Sequence, residues 1–143
     1  MDNNFDIKKV KVPRTTEGTI MEAIAVLLLI ITWVIALARH QFVGATGKDW
    51  LIGLAFISIA IIFLFVACYL PRFFNNAHRL RNMRQLLLTI RCSRVIAIEF
   101  ALMVMSNALL GNVMDIHPEW IWLPLIIILI TSLTFTLLIY KAK

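Results

Sequence analysis

The stretch Leu51 to Leu70 reads LIGLAFISIAIIFLFVACYL, a run of apolar and small residues with no formal charge. A helix of that length rises about 30 Å, the thickness of a bilayer's hydrocarbon core. Its apolar residues follow one another without the spacing of a one-sided helix or the alternation of a half-buried strand, so no face is set aside for water. Ile20 to Ala38, Ile90 to Leu110 and Trp120 to Tyr140 meet the same criterion. In hydrocarbon every backbone N–H and C=O must be satisfied within its own segment, and runs this long are expected as helices rather than barrel strands. The expected fold is therefore an all-α membrane protein, a four-helix transmembrane bundle with short loops and antiparallel neighbours.

The composition agrees with lipid as the solvent. Of 143 residues, 61% are apolar, against about half in soluble domains. The formal charge of +6 does not mark a nucleic-acid reader, because the bases gather between helices rather than on a water-soluble surface. Cys68 and Cys92 show neither CxxC spacing nor adjacent ligand-like histidines, so they are expected to be packing residues.

Basic residues set the expected orientation. Pro71 to Arg94 carries Arg72, Arg79, Arg81, Arg84, Arg91 and Arg94 with no acid, whereas Gly111 to Glu119 has neither Lys nor Arg. The positive-inside rule puts the middle loop in the cytoplasm together with the tail 1–19 and the end 141–143. Trp50, Trp120 and Trp122 then lie at the outer interface and Tyr69 and Tyr140 at the inner one. Ala36-Leu37-Ala38 resembles a signal-cleavage site, but the preceding tail is long and carries acids, and the first helix is expected to be retained.

Glu99 is the residue most in need of explanation, since an ionisable group inside a span costs on the order of 3 kcal/mol unless it faces protein or water. At 100° per residue Cys92, Glu99, Met103, Ser106 and Asn107 share a stripe of about 100°, a polar seam expected to face the bundle. Thr131, Ser132 and Thr134 lie at similar depth on the fourth helix. The seam serves either as helix-to-helix glue or as a proton or ligand relay. Glu22 enters the first helix at the level where Arg91 and Arg94 enter the third, which predicts an ion pair of structural value.

Leu80 to Ile90 reads as a surface helix with Leu80, Met83, Leu87 and Ile90 on one face and Arg81, Arg84 and Arg91 on another. Those arginines mark topology and are candidates for binding anionic lipid at the cytoplasmic face. In the outer loops His40, Asp49, Asp115, His117 and Glu119 are residue types that bind divalent metal, but they form no ligand motif, and no metal or cofactor is expected. No Ser-His-Asp order, HExxH, Walker loop or Gly-rich phosphate loop occurs, so the chain is not expected to be an enzyme.

Three places carry a family likeness. The lead-in Lys9-Val10-Lys11-Val12-Pro13-Arg14-Thr15-Thr16 is followed by Glu22 and Trp33; the first loop holds His40, Phe42, Gly47, Asp49 and Trp50; and Tyr69-Leu70-Pro71-Arg72-Phe73-Phe74-Asn75 is followed by Asn82 and Arg84. In these the chain resembles the bacterial integral membrane proteins of domain of unknown function 1648, a domain also found in immunity proteins against a sporulation-delay peptide toxin. In the first loop Gln41 precedes Phe42, and Val43 stands where the family has asparagine. The resemblance implies a membrane fold and, in some relatives, immunity or signalling against a membrane-active peptide. The expected function is thus binding, immunity or envelope-stress signalling, with a peptide toxin or a membrane protein as partner and no nucleic acid. The rivals are a small transporter or proton-coupled carrier subunit using Glu99, and a structural partner in a larger membrane complex.

Overall fold

The computed structural model describes residues 12–43, 48–70, 80–114 and 122–142, with side chains at 12–38, 51–70, 80–109 and 122–142. These residues form four helices: α1 (Thr16–Val43), α2 (Lys48–Tyr69), α3 (Met83–Met114) and α4 (Trp122–Lys141). The N-termini of α1 and α3 are capped by side chains. Gly18 donates its N–H to Thr15 Oγ1 at 3.1 Å, and Gln85 donates to Asn82 Oδ1 at 2.8 Å. Each bond satisfies one of the amides that a helix start leaves without a partner. Pro124 falls in the first turn of α4, where its missing N–H removes no helical bond.

Three of these helices are long and apolar enough to cross a membrane, over Thr16–Ala38, Leu51–Tyr69 and Trp122–Lys141. That is the signature of a membrane protein. The expected span Ile90 to Leu110 is not among them; within α3 it carries Arg91, Arg94 and Glu99. A second difference concerns Leu80 to Ile90. No separate surface helix forms there, because α3 begins at Met83 and runs through with no proline to stop it. The predicted apolar face is also redrawn. Leu80 and Ile90 are buried, but Met83 and Leu87 are exposed and Leu86 is fully buried in their stead. Leu80, Leu86 and Ile90 pack on Cys68 of α2 and Ile139 of α4.

Cross-helix pairs give the topology. Trp33 Nε1 donates to Ser58 Oγ at 3.1 Å, and Ala36 packs with Leu54, so α1 and α2 are antiparallel. Glu17 pairs with Arg91 and Glu22 with Arg94, so α1 and α3 run in the same direction. Gln85 bonds the Ile139 carbonyl and Glu99 bonds Thr131, which sets α4 antiparallel to α3. The start of α1, the end of α2, the start of α3 and the end of α4 consequently share one end of the molecule.

Helix α3 is the element on which the others pack, and its contact positions are small. Ala97 and Ala101 are fully buried against Leu29 of α1 and Ile61 of α2, and Ala108 is buried further along. Small side chains let helix backbones approach closely where lipid offers no hydrophobic force to drive them together. By contrast α4 has no buried residue, and large apolar side chains of α1, α2 and α4 such as Leu27, Phe56 and Leu129 face outward. Hydroxyls on these helices turn inward on their own backbone: Thr32, Ser58, Thr134 and Thr136 each donate to the carbonyl four residues earlier. That bond satisfies a polar group without water.

Overpacking the α3 seam is expected to show in stability. Ala97→Leu or Ala101→Leu should destabilise the protein by about 1–3 kcal/mol, because neither site has room for added methylenes. Thermal unfolding in detergent measures this, with Ile59→Leu on the outward face of α2 as a control expected to shift nothing.

Candidate functional site: the basic end and the acid in α3

A cation buried among helices must find acceptors or face a large desolvation cost. Arg94 sits on the inward face of α3 with its side chain 6% exposed, and the end of α2 and the first turns of α1 supply the acceptors. Its Nη2 donates to Glu22 Oε1 at 3.2 Å and to Tyr69 Oη at 3.4 Å, while Tyr69 donates its own hydroxyl proton to the same Glu22 oxygen at 2.6 Å. The guanidinium also lies over the Tyr69 ring, 5.7 Å from its centroid, with Arg14 at 5.8 Å. Both are within cation–π range. Gly18 faces the guanidinium so closely that a Cβ there would collide with it. The absence of a side chain at that position is what lets α1 pass over Arg94.

The predicted pairing of Glu22 is therefore observed, with Arg94 rather than Arg91 as its partner. Arg91 instead donates to Glu17 at 2.7 Å, in an exposed pair. Three residues of α3 separate the two arginines and five residues of α1 separate the two acids. Sequence reading missed Glu17 and Tyr69 as partners, although Tyr69 had been expected at this interface.

Beside this network a cleft of about 450 Å³ opens between the ends of α1, α3 and α4. Its lining includes Arg84, Arg91, Arg94 and Lys141 with, among the described residues, a single carboxylate, Glu17, and an apolar wall of Leu87, Leu88 and Leu138. Of the three arginines expected to bind lipid, Arg84 and Arg91 are brought together here. Arg81 is not in the lining. It is exposed, and its backbone N–H donates to Gln85 Oε1 at 2.8 Å.

Asn82, singled out by the family likeness, has a structural place. Besides capping α3, it donates Nδ2 to the Ala142 carbonyl at 2.9 Å, and Gln85 Nε2 donates to Ile139 at 3.2 Å. Together they tie the start of α3 to the end of α4. Pro71, Phe74, Asn75 and Gly47 lie outside the described residues. His40 and Phe42 belong to the last turn of α1, and Asp49 and Trp50 to the first turn of α2. Their side chains, like Asp115, His117 and Glu119, lie outside the description.

Midway along α3, Thr131 of α4 donates to Glu99 Oε1 at 2.6 Å, the contact that depth matching predicts. Glu99 Oε2 is buried with no hydrogen-bond partner. The remainder of the predicted seam does not join it. Met103 packs toward Ala36 and Leu54, away from α4, and Ser106 donates to Leu102 within its own helix. Asn107 and Cys92 are half-buried, and among the described residues Glu99 alone of the seam bonds another helix. A stripe of about 100° on a helix with neighbours on several sides is divided between them. Comparison with protein-family models, curated proteins and solved structures finds no match for the chain.

The Arg94 network makes a double-substitution prediction. Arg94→Met leaves Glu22 without its cation and should cost about 3 kcal/mol, whereas adding Glu22→Met should restore most of that loss. Thermal unfolding of the two single variants and the double in detergent measures the coupling; a double variant no more stable than Arg94→Met would show that the charges do not depend on one another.

Proposed function

We propose that the chain is a four-span protein of the cytoplasmic membrane, with both termini and the basic end of its helices inside, and that it acts by binding rather than catalysis. The observation that carries this reading is the division of α3. Its cations, Arg84, Arg91 and Arg94, gather toward one end beside Lys141, and its one acid further along is bonded to α4. With Arg91 and Arg94 paired to acids of α1 and Glu99 bonded to Thr131, the stretch from Val95 onward is apolar enough to lie in lipid as the fourth span, and an even number of spans returns the chain to the cytoplasm.

Among binding roles, immunity or envelope-stress signalling is the choice, with a membrane-active peptide or a membrane protein as the partner, met within the bilayer or at its outer face. The resemblance to the domain of unknown function 1648 proteins supports this, as do the apolar faces that α1, α2 and α4 turn outward. A second reading has its own observation. The partnerless buried Oε2 of Glu99 suits a group that takes up and releases a proton, as in a small proton-coupled carrier.

Two experiments test these readings. A reporter active only in the cytoplasm should be active when inserted at Asn76 or fused after Lys143 and inactive at Ala45 or Asp115; activity at Ala45 would overturn the orientation. Glu99→Gln keeps the acceptor for Thr131 but cannot ionise. The binding reading predicts a folded protein that still protects cells against the membrane-active peptide to which deletion sensitises them. A folded Glu99→Gln protein without activity moves the carrier to first place.

A further inference from the structure

The cleft at the basic end combines two chemistries that are rarely adjacent. Among the described residues its lining holds Arg84, Arg91, Arg94 and Lys141, of which Arg91 is paired with Glu17 and Arg94 with Glu22. Among the described residues Arg84 and Lys141 have no acidic partner. Arg94 is 95% buried by its 5% exposure, and its Nε has no hydrogen-bond partner. Arg84 and Lys141 thus leave the cleft with two cations that an anion can neutralise. Beyond the charges, Leu87 and Leu138 continue the wall toward the apolar length of α3 and α4.

We propose that this cleft binds one anionic phospholipid, with the phosphate ester held by Arg84 and Lys141, and an acyl chain leaving along Leu87 and Leu138. An arginine fork matches the geometry of phosphate oxygens, and a lysine adds a point charge. The cleft's volume lies within the range of small-ligand sites, large enough for a phosphoglycerol headgroup. The first turn of α1, with Thr15 and Glu17 in the lining, adds the positive end of a helix dipole. The apolar wall distinguishes this ligand from a free phosphate, which shares the oxyanion but has nothing to place against leucine. The inference rests on the reading that this end of the helices lies at the membrane surface. It differs from general attraction of basic residues to an acidic leaflet, because it names one site and leaves Arg81 outside it.

Native mass spectrometry of the full chain, released from nanodiscs of mixed phosphatidylglycerol and phosphatidylcholine, tests the proposal. The wild type should retain one phosphatidylglycerol in preference to phosphatidylcholine. Arg84→Gln with Lys141→Gln should weaken that retention about thirtyfold, and Arg81→Gln should leave it unchanged. Inorganic phosphate at millimolar concentration should neither displace the lipid nor raise the thermal stability of lipid-free protein. Equal loss from Arg81→Gln, retention of several lipids without saturation, or stabilisation by inorganic phosphate alone would each overturn it. Fractionation of the cells separates this from the membrane reading: protein found in membranes but retaining no lipid defeats only the cleft proposal, whereas protein found in the soluble fraction defeats both.

Discussion

A guanidinium with 6% of its side chain exposed, held between three helices, is the constraint around which this molecule is organised. Arg94 has no water to fall back on, so Glu22 of α1 and Tyr69 of α2 must stand within reach, and the helices that carry them are fixed in register with α3. Gly18 follows from the same demand, as the position that leaves the guanidinium space under α1. Such a buried pair adds little net stability once desolvation is counted. What it supplies is alignment: charged groups permit few alternative registers, whereas the alanines and leucines beyond them would tolerate many.

The other attachments follow from where α3 is polar and where it is small. Toward α1 and α2 it presents Ala97 and Ala101, and close packing does the holding. Toward α4 it presents hydrogen bonds spread along its length, Asn82 and Gln85 near the start and Glu99 in the middle. No residue of α4 is buried, and Ile139 adds apolar packing to those bonds. A helix held by polar clasps along one side is free to turn its remaining surface to lipid or to a partner helix.

Much of this was legible in the sequence. The helices α1, α2 and α4 were readable because lipid asks for uninterrupted apolar length, a property of composition alone. The pairing of Glu22 with Arg94 and of Glu99 with Thr131 was readable because spans of known length and direction put residues at comparable depth. Rotation about the helix axis was not readable to the same degree. Leu86 replaces Met83 and Leu87 on the buried side, and Met103 parts company with Glu99, since which flank of α3 meets which neighbour depends on all four helices at once. The start of α3 at Met83 was missed for a related reason: an arginine-rich amphipathic segment and an apolar span share one helical period, and neither glycine nor proline marks a boundary between them. Lys141 was readable as part of the basic carboxyl end but not as a neighbour of the arginines, from which it is far in sequence.

The central claim is that α3, with Arg91, Arg94 and Glu99 each bonded to a neighbouring helix, crosses the bilayer as a fourth span. Its most direct test is the depth of Leu102, an outward-facing residue one turn past Glu99. With Cys68 and Cys92 replaced by alanine, a nitroxide at Leu102→Cys in nanodiscs is measured for collision with oxygen and with an aqueous nickel complex. The account predicts high oxygen and low nickel accessibility, matching a label at Leu129→Cys on α4. A label at Leu102 that meets nickel as readily as one at Arg81→Cys would place α3 outside the hydrocarbon core and contradict it.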